Sequence, residues 1–383
     1  VAVGALSLDA NTTASFNTAV GYGTLTTNTT GTANVAMGRN ALLSNTTGDN
    51  NVSIGSLSLD ANTEGNSNVA VGYAALSTNT TAGNNVAVGY ETLKLNTTGS
   101  NNTALGYQAL EANTVGHSNV AVGTNALIAN TEGTQNVAVG RLALDANTTA
   151  SYNTAVGYAT LTANTTGASN VAMGRNALLV NTIGYSNVAI GVLSLTANTD
   201  GFNNTAAGSD AGSAVTTGDN NSFFGHDAGI TGSPGGAITT ADNQMCLGDE
   251  NIANAHIQVD WTVASDKRDK TEVTPLVMGL DFINKLEPVT YRWDKRSKYS
   301  KDQDVTPDGT HKEAQLDVGF LAQDVEELEK EYGFNFEDKT NLTTNISDDE
   351  KMYGLKYSKF VPALVKAVQE LTAKVKELEG KLV

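Results

Sequence analysis

The chain has 383 residues, 40% of them apolar, a fraction that excludes wholesale disorder. Its single cysteine, Cys246, excludes an intrachain disulfide framework and a cysteine-built zinc cluster. A net charge of −17 argues against nucleic acid or an anionic membrane surface as a partner, and no apolar run reaches the ~20 residues of a membrane-spanning helix. Charge is unevenly spread: residues 1–258 carry 15 acidic and 4 basic side chains, whereas 259–383 carry 25 and 19. A boundary near residue 255 follows.

The first part is a repeat. Asn recurs every 17 residues from Asn17 through Asn34 and Asn51 to Asn221, and Val1–Gly4 is the tail of one earlier copy, making 14. With that Asn as position zero, position four is always Gly (Gly4, Gly38, Gly225). Position eight is Leu from Leu8 to Leu195, and position eleven is Asn from Asn11 to Asn198. No 3.6-residue pattern is present, and two Asn, a Gly and several Thr per copy oppose helix. Val-Ala-Val is strand-like, Gly interrupts it, and Asn-Thr-Thr-Gly is turn chemistry. The expected fold is mainly β, a parallel β-roll or β-solenoid with one 17-residue coil per copy, two short strands to a coil. Its stability comes from stacking on neighbouring coils. Asn side chains at positions zero and eleven are expected to form ladders. Leu at position eight and the apolar residue at position three (Val20, Met37, Ile54, Leu105) are the expected core. So thin an interior favours a homotrimer. The repeated surface excludes most enzymes as a reading of this half, since catalysis needs unlike residues to converge.

The expected divisions are a shaft over 1–208, degenerate repeats and a transition over 209–255, and a different domain over 256–383. In the transition Gly212 replaces Leu, Phe223 and Phe224 replace Ala and Val, and residues 242–248 read as one more, slipped strand. In the last domain the pattern predicts a strand over 256–261, a charged loop over 265–270 and a helix over 276–286. A strand over 288–293, a polar loop over 295–313, a strand over 316–321 and a helix over 324–332 follow. Then come a polar loop over 340–351, a strand over 353–357 and a terminal helix over 358–383. In that helix Val361, Leu364, Val368, Leu371, Val375, Leu378 and Leu382 are spaced as a heptad seam. Val at a with Leu at d favours two strands in isolated coiled coils, so a third copy would be imposed by the surrounding domain. His117, His226, His256 and His311 share no ligand spacing, and no metal or cofactor is expected.

Two resemblances stand on these residues. The Asn-x-Ala-x-Gly core is similar to the head repeats of trimeric autotransporter adhesins, which form trimeric parallel β-rolls with a usually shorter period. Ser265-Asp266-x-Arg268-x-Lys270, LDFINKLEPVTYRW (280–293), GFLAQDV (319–325) and YSKFVPALVKAVQEL (357–371) resemble, in that order, the intramolecular chaperone domain of phage endosialidases and tail fibres. The same domain occurs in myelin regulatory factor. That resemblance implies a trimerising domain that guides folding of the upstream β-structure and then cuts itself off. It implies Ser265 as nucleophile and Lys270 as general base, with Asp266 and Arg268 as supporting motif.

The chemistry constrains the rest. A serine hydroxyl needs a base, and a lysine serves only when neutral, through desolvation or a cationic neighbour. Arg268 and burial on trimer formation are the two candidates for that role. Ser265 Oγ reaches the preceding carbonyl through a five-membered ring, which favours cleavage of Ala264–Ser265. Cleavage of Ser265–Asp266 needs a four-membered ring and is the lesser alternative. The expected function is a segment of a phage-like tail fibre or spike on a virion, a single-turnover self-cleaving serine peptidase with no external substrate, its shaft open to a host receptor or glycan. The alternative is a trimeric adhesin on a bacterial surface.

Overall fold

The computed structural model describes all residues except 231, 234, 253, 259–261, 301–303, 348–349 and 383. The chain divides into two compact units, 1–230 with 239–248, and 231–238 with 249–383.

The first unit is a parallel β-solenoid. After β1 (Ala2–Val3), a short strand recurs once in every copy of the repeat, from β2 (Thr18–Val20) through β13 (Thr205–Ala207) to β14 (Ser222–Phe224). A further strand, β15 (Met245–Leu247), follows after a longer step that sets Met245 beside Ser222, and each strand pairs in parallel with the next in one continuous sheet. Each coil holds one strand, not the expected two. The reason lies in positions six and eight, where the backbone turns left-handed in coil after coil: Asn125 has φ 58° and Leu127 φ 53°. That alternation folds positions five to ten into tight turns instead of extended chain. Their backbone groups still bond between coils, as in Leu127 N to Ala143 O at 3.0 Å.

Position four must be Gly. Its φ runs from 131° to 144° between Gly4 and Gly208, and a Cβ on Gly106 would lie 2.6 Å from the carbonyl oxygen of Gly123. Position eight is the core, with every Leu from Leu25 to Leu195 fully buried, alongside Ala at position two. Position three is not in it: Met37, Ile54 and Leu105 are 42%, 38% and 48% exposed. A strand covering positions one to three turns one and three to the same face, opposite the small buried Ala at two. Both expected ladders form. At position eleven, Asn130 Nδ2 donates to Asn113 Oδ1 (2.9 Å) and to Gly133 O (3.0 Å). At position zero, Asn119 Oδ1 accepts from Asn136 N (3.0 Å) while its Nδ2 donates to the same Gly133 carbonyl (2.8 Å).

The repeat ends by exchanging volumes. Phe223, at the Ala position, is fully buried, and the two neighbouring position-eight residues are Gly212 and Gly229. A Cβ on Gly212 would lie 2.7 Å from Phe223 Cδ2, and one on Gly229 would meet the other edge of the same ring. The ring fills the space that two leucines fill elsewhere. Val215 ends the position-eleven ladder and leaves Asn198 Oδ1 buried without a partner. A finite ladder always has one acceptor left over.

The second unit contains α1 (Leu280–Lys285), an antiparallel pair β16 (Val289–Tyr291) and β17 (Asp317–Gly319), α2 (Ala322–Glu331), an antiparallel pair β18 (Thr344–Ile346) and β19 (Tyr353–Leu355), and α3 (Phe360–Lys381). Its core is Met278, Phe282, Val325, Leu328, Phe360 and Ala363. Three expectations change. Residues 256–258 of the first expected strand are not extended sheet, and its 259–261 lie outside the described residues. The first helix begins at Leu280 rather than 276, where the Glu370 carboxylate accepts from Leu280 N at 2.8 Å. The polar stretch 340–351 contains β18. Helix α3 packs Phe360, Ala363 and Ala367 inward, while Val361, Leu364, Val368, Leu371, Val375 and Leu378 are 45–62% exposed. The heptad seam is therefore not the face that packs on its own unit.

Candidate active site

The segment 265–270 builds a small turn from its own side chains. Asp266 has extended backbone and caps a 3-10 turn over Lys267–Asp269, its Oδ1 accepting from Arg268 N at 2.9 Å. The Arg268 guanidinium returns to the same carboxylate through Nε (3.1 Å to Oδ1) and Nη2 (2.6 Å to Oδ2). This hydrogen-bonded pairing holds the Asp266 carboxyl below its ordinary range and raises Arg268. Lys270, extended again, leaves the turn so that Nζ donates to Ser265 Oγ at 2.6 Å and lies 3.4 Å from the Ser265 carbonyl oxygen. Ser265 and Lys270 are therefore in the contact that proton transfer between them requires.

Arg268 is a candidate cationic neighbour for Lys270 by sequence, but its guanidinium is directed at Asp266. Every residue from 262 to 270 is exposed in the single chain. Ala264, on the far side of the bond favoured for cleavage, lies in that exposed stretch.

Two acidic residues without a motif of their own hold the domain in shape. Glu329 on α2 is fully buried and accepts from Thr343 N (2.6 Å), Thr343 Oγ1 (2.8 Å), Leu342 N (3.2 Å) and Thr344 Oγ1. Glu370 on α3 caps α1. The only sequence signal for the first is the Thr343-Thr344 pair; the second joins segments far apart in the chain and leaves none. In the solenoid, stacking brings ligand atoms of Asp210, His226 and Asp227 within 4.8 Å of one another: the two Asp stand at position six of successive copies, 17 residues apart, and His226 adjoins the second. His226 Nδ1 lies 3.2 Å from Asp227 Oδ2, and Asp210 Oδ2 accepts from Ser209 Oγ at 2.9 Å.

The chain matches no curated protein and no solved structure. Residues 265–334, beginning at Ser265 itself and running past the end of α2, match the family model described as chaperone of endosialidase, and they follow a β-solenoid in the chain.

Proposed function

We propose that residues 256–383 are an intramolecular chaperone that aligns three copies of the chain through the α3 seam, lets the β-solenoid fold in register, and then releases itself by autoproteolysis at Ser265. The product would be the shaft of a tail fibre or spike on a virion, presented to the host surface. The observation that carries this reading is the 2.6 Å contact between Lys270 Nζ and Ser265 Oγ at the first residue of the family match.

The step balances within the chain. Desolvated, neutral Lys270 takes the Ser265 Oγ proton, and Oγ adds to the Ala264 carbonyl carbon through a five-membered ring. The C–N bond breaks, the Ser265 nitrogen receives the proton from Lys270, and an ester joins Ala264 to Oγ. Water hydrolyses the ester, giving a carboxylate on Ala264 and a free amino group on Ser265. Because lysine must lose its hydration first, the exposed dyad of a lone chain is silent and assembly switches it on.

The test is the intact mass of purified wild-type chain beside Ser265→Ala. Wild type is expected as fragments 1–264 and 265–383, with Ser265 at the new amino terminus, and Ser265→Ala as full-length chain. Equal cleavage in Ser265→Ala would sink the dyad; a fragment starting at Asp266 would move the scissile bond.

A further inference from the structure

The basic residues of the solenoid are few and placed alike. Beside Lys94 it carries three arginines, and Arg39, Arg141 and Arg175 all stand at position five, just beyond the glycine. Lys94 is held by Glu91 at 2.7 Å. The arginines are exposed, and none of them meets a carboxylate among the described residues. Arg141 instead lies over the ring of Tyr158, 5.7 Å from its centroid, and Tyr158 is position five of the next coil. Arg175 is position five of the coil after that. Three successive coils therefore present Arg, Tyr and Arg in one column. The column is fixed at its base: Ala159 N donates to Arg141 O and Leu193 N to Arg175 O, each at 3.0 Å.

The surroundings lack acid. Residues 146–199 contain no Asp or Glu, although the net charge of the chain is −17. Half of the column recurs in the first part of the shaft. Tyr22 and Arg39 stand at position five of successive coils, within the carboxylate-free stretch 10–48, each eight copies before its counterpart in Tyr158 and Arg175.

An exposed guanidinium without a carboxylate keeps its planar fork free for the oxygens of a carboxylate, sulfate or phosphate. One such contact on a wet surface is weak. Two on one rigid column, two coil spacings or ~10 Å apart, reward a ligand with an anion at both. The second column, eight coils or ~38 Å along the shaft, rewards a ligand long enough to reach it as well. A small anion uses neither spacing. Nucleic acid carries its phosphates too densely for a shaft that is acidic outside these stretches.

We infer that the Arg141–Tyr158–Arg175 column, with Tyr22–Arg39 as a lesser second copy, binds an acidic polysaccharide, its oxyanions on the guanidinium groups and its hydroxyls within reach of the Tyr158 hydroxyl. This deepens the host-facing part of the function proposed above, on which it rests, by giving the shaft a ligand class and a site.

The experiment measures binding of the full chain carrying Ser265→Ala to immobilised polygalacturonate (carboxylate), heparin (sulfate) and dextran (uncharged), with single-stranded DNA as a polyanion that is not a sugar. At least one of the two acidic sugars is expected to bind at least tenfold more tightly than dextran or DNA, and the tighter of the two identifies the oxyanion. Arg141→Gln combined with Arg175→Gln is expected to lose at least tenfold in affinity, and Lys94→Gln less than twofold. Arg39→Gln is expected to weaken binding of long chains of that sugar and not of its short oligomers. Unchanged affinity in the double variant would overturn the site. Binding to neither acidic sugar, or to dextran equally well, would overturn the ligand class, and so would tighter binding to DNA. Cleavage of the wild-type chain and its native mass, read separately, report on the dyad and the assembly, so that a failure of the column leaves both standing.

Discussion

Asp60 and Asp145 each stand at position nine of their coil, and in each the Oδ1 atom is buried without a hydrogen-bond partner. Burial pushes both carboxyls above the ordinary carboxylate range. Between the unfolded and the raised folded value the native chain binds more protons than the unfolded one. Stability therefore falls as pH rises through that window and recovers on acidification. Asp60→Asn and Asp145→Asn are expected to raise the melting temperature at pH 7, with the gain shrinking as the pH approaches 4. A loss at pH 7 would mean that the carboxylates have a cation partner in the assembled shaft. At this scale the sequence exposed Gly at position four and the two Asn columns, because each has one dominant physical reason. It hid the left-handed Leu at position eight, since a buried Leu with positive φ has no compositional mark. It also hid Glu329, whose partners are backbone amides that any residue carries.

At the scale of one coil, the interior has one volume to fill and two ways of filling it: Ala at two with Leu at eight, or Phe223 with Gly212 and Gly229. Gly212 has φ 61°, the same left-handed conformation that Leu adopts at this position in other coils, so a leucine there meets the ring and not the backbone. Phe223→Ala is expected to cost about 3–5 kcal/mol through the cavity it leaves, and Gly212→Leu alone about 1–3 kcal/mol through overpacking. The double variant restores one of the two missing leucines and is expected to recover part of the loss, a coupling that thermal unfolding of the four chains measures directly. Additive losses would mean that the ring's contacts with Gly229 dominate. Element existence was legible wherever periodicity was strict: β1 to β14, and α3 from its heptad. It was least legible where a distant group sets the limit, as Glu370 does for the start of α1. Position three was misplaced for a related reason. Apolarity marks a residue as buried in something, and a single sequence does not say whether that is its own coil or a neighbouring chain.

At the scale of the whole molecule, a strict repeat is both the means of assembly and its hazard. Each coil contacts only the coils above and below, so stability grows nearly additively with their number. A slip by one whole coil restores almost every contact: Asn on Asn, Gly on Gly, Leu on Leu. Pairing between separate chains is slow and exposed to such misregister. What departs from the repeat is the Phe223 layer and the domain beyond it, and the family match lies in that domain, over residues 265–334. The shaft should therefore tolerate a change of length in whole coils. Deleting residues 119–135 joins Ser118 to Asn136, as Ser118 joins Asn119 now, and sets Asn147 on Asn113 and Ala138 on Ala104. The shortened chain is expected to assemble to the same number of copies and to cleave at Ser265 to the same extent as wild type. Deleting residues 119–126 instead removes under half a coil, puts every later position out of phase, and is expected to give an insoluble, uncleaved chain. Native mass and a denaturing gel decide it. Failure of the in-phase deletion would mean that some coil carries information its neighbours lack, and register would then be set along the shaft and not from its end.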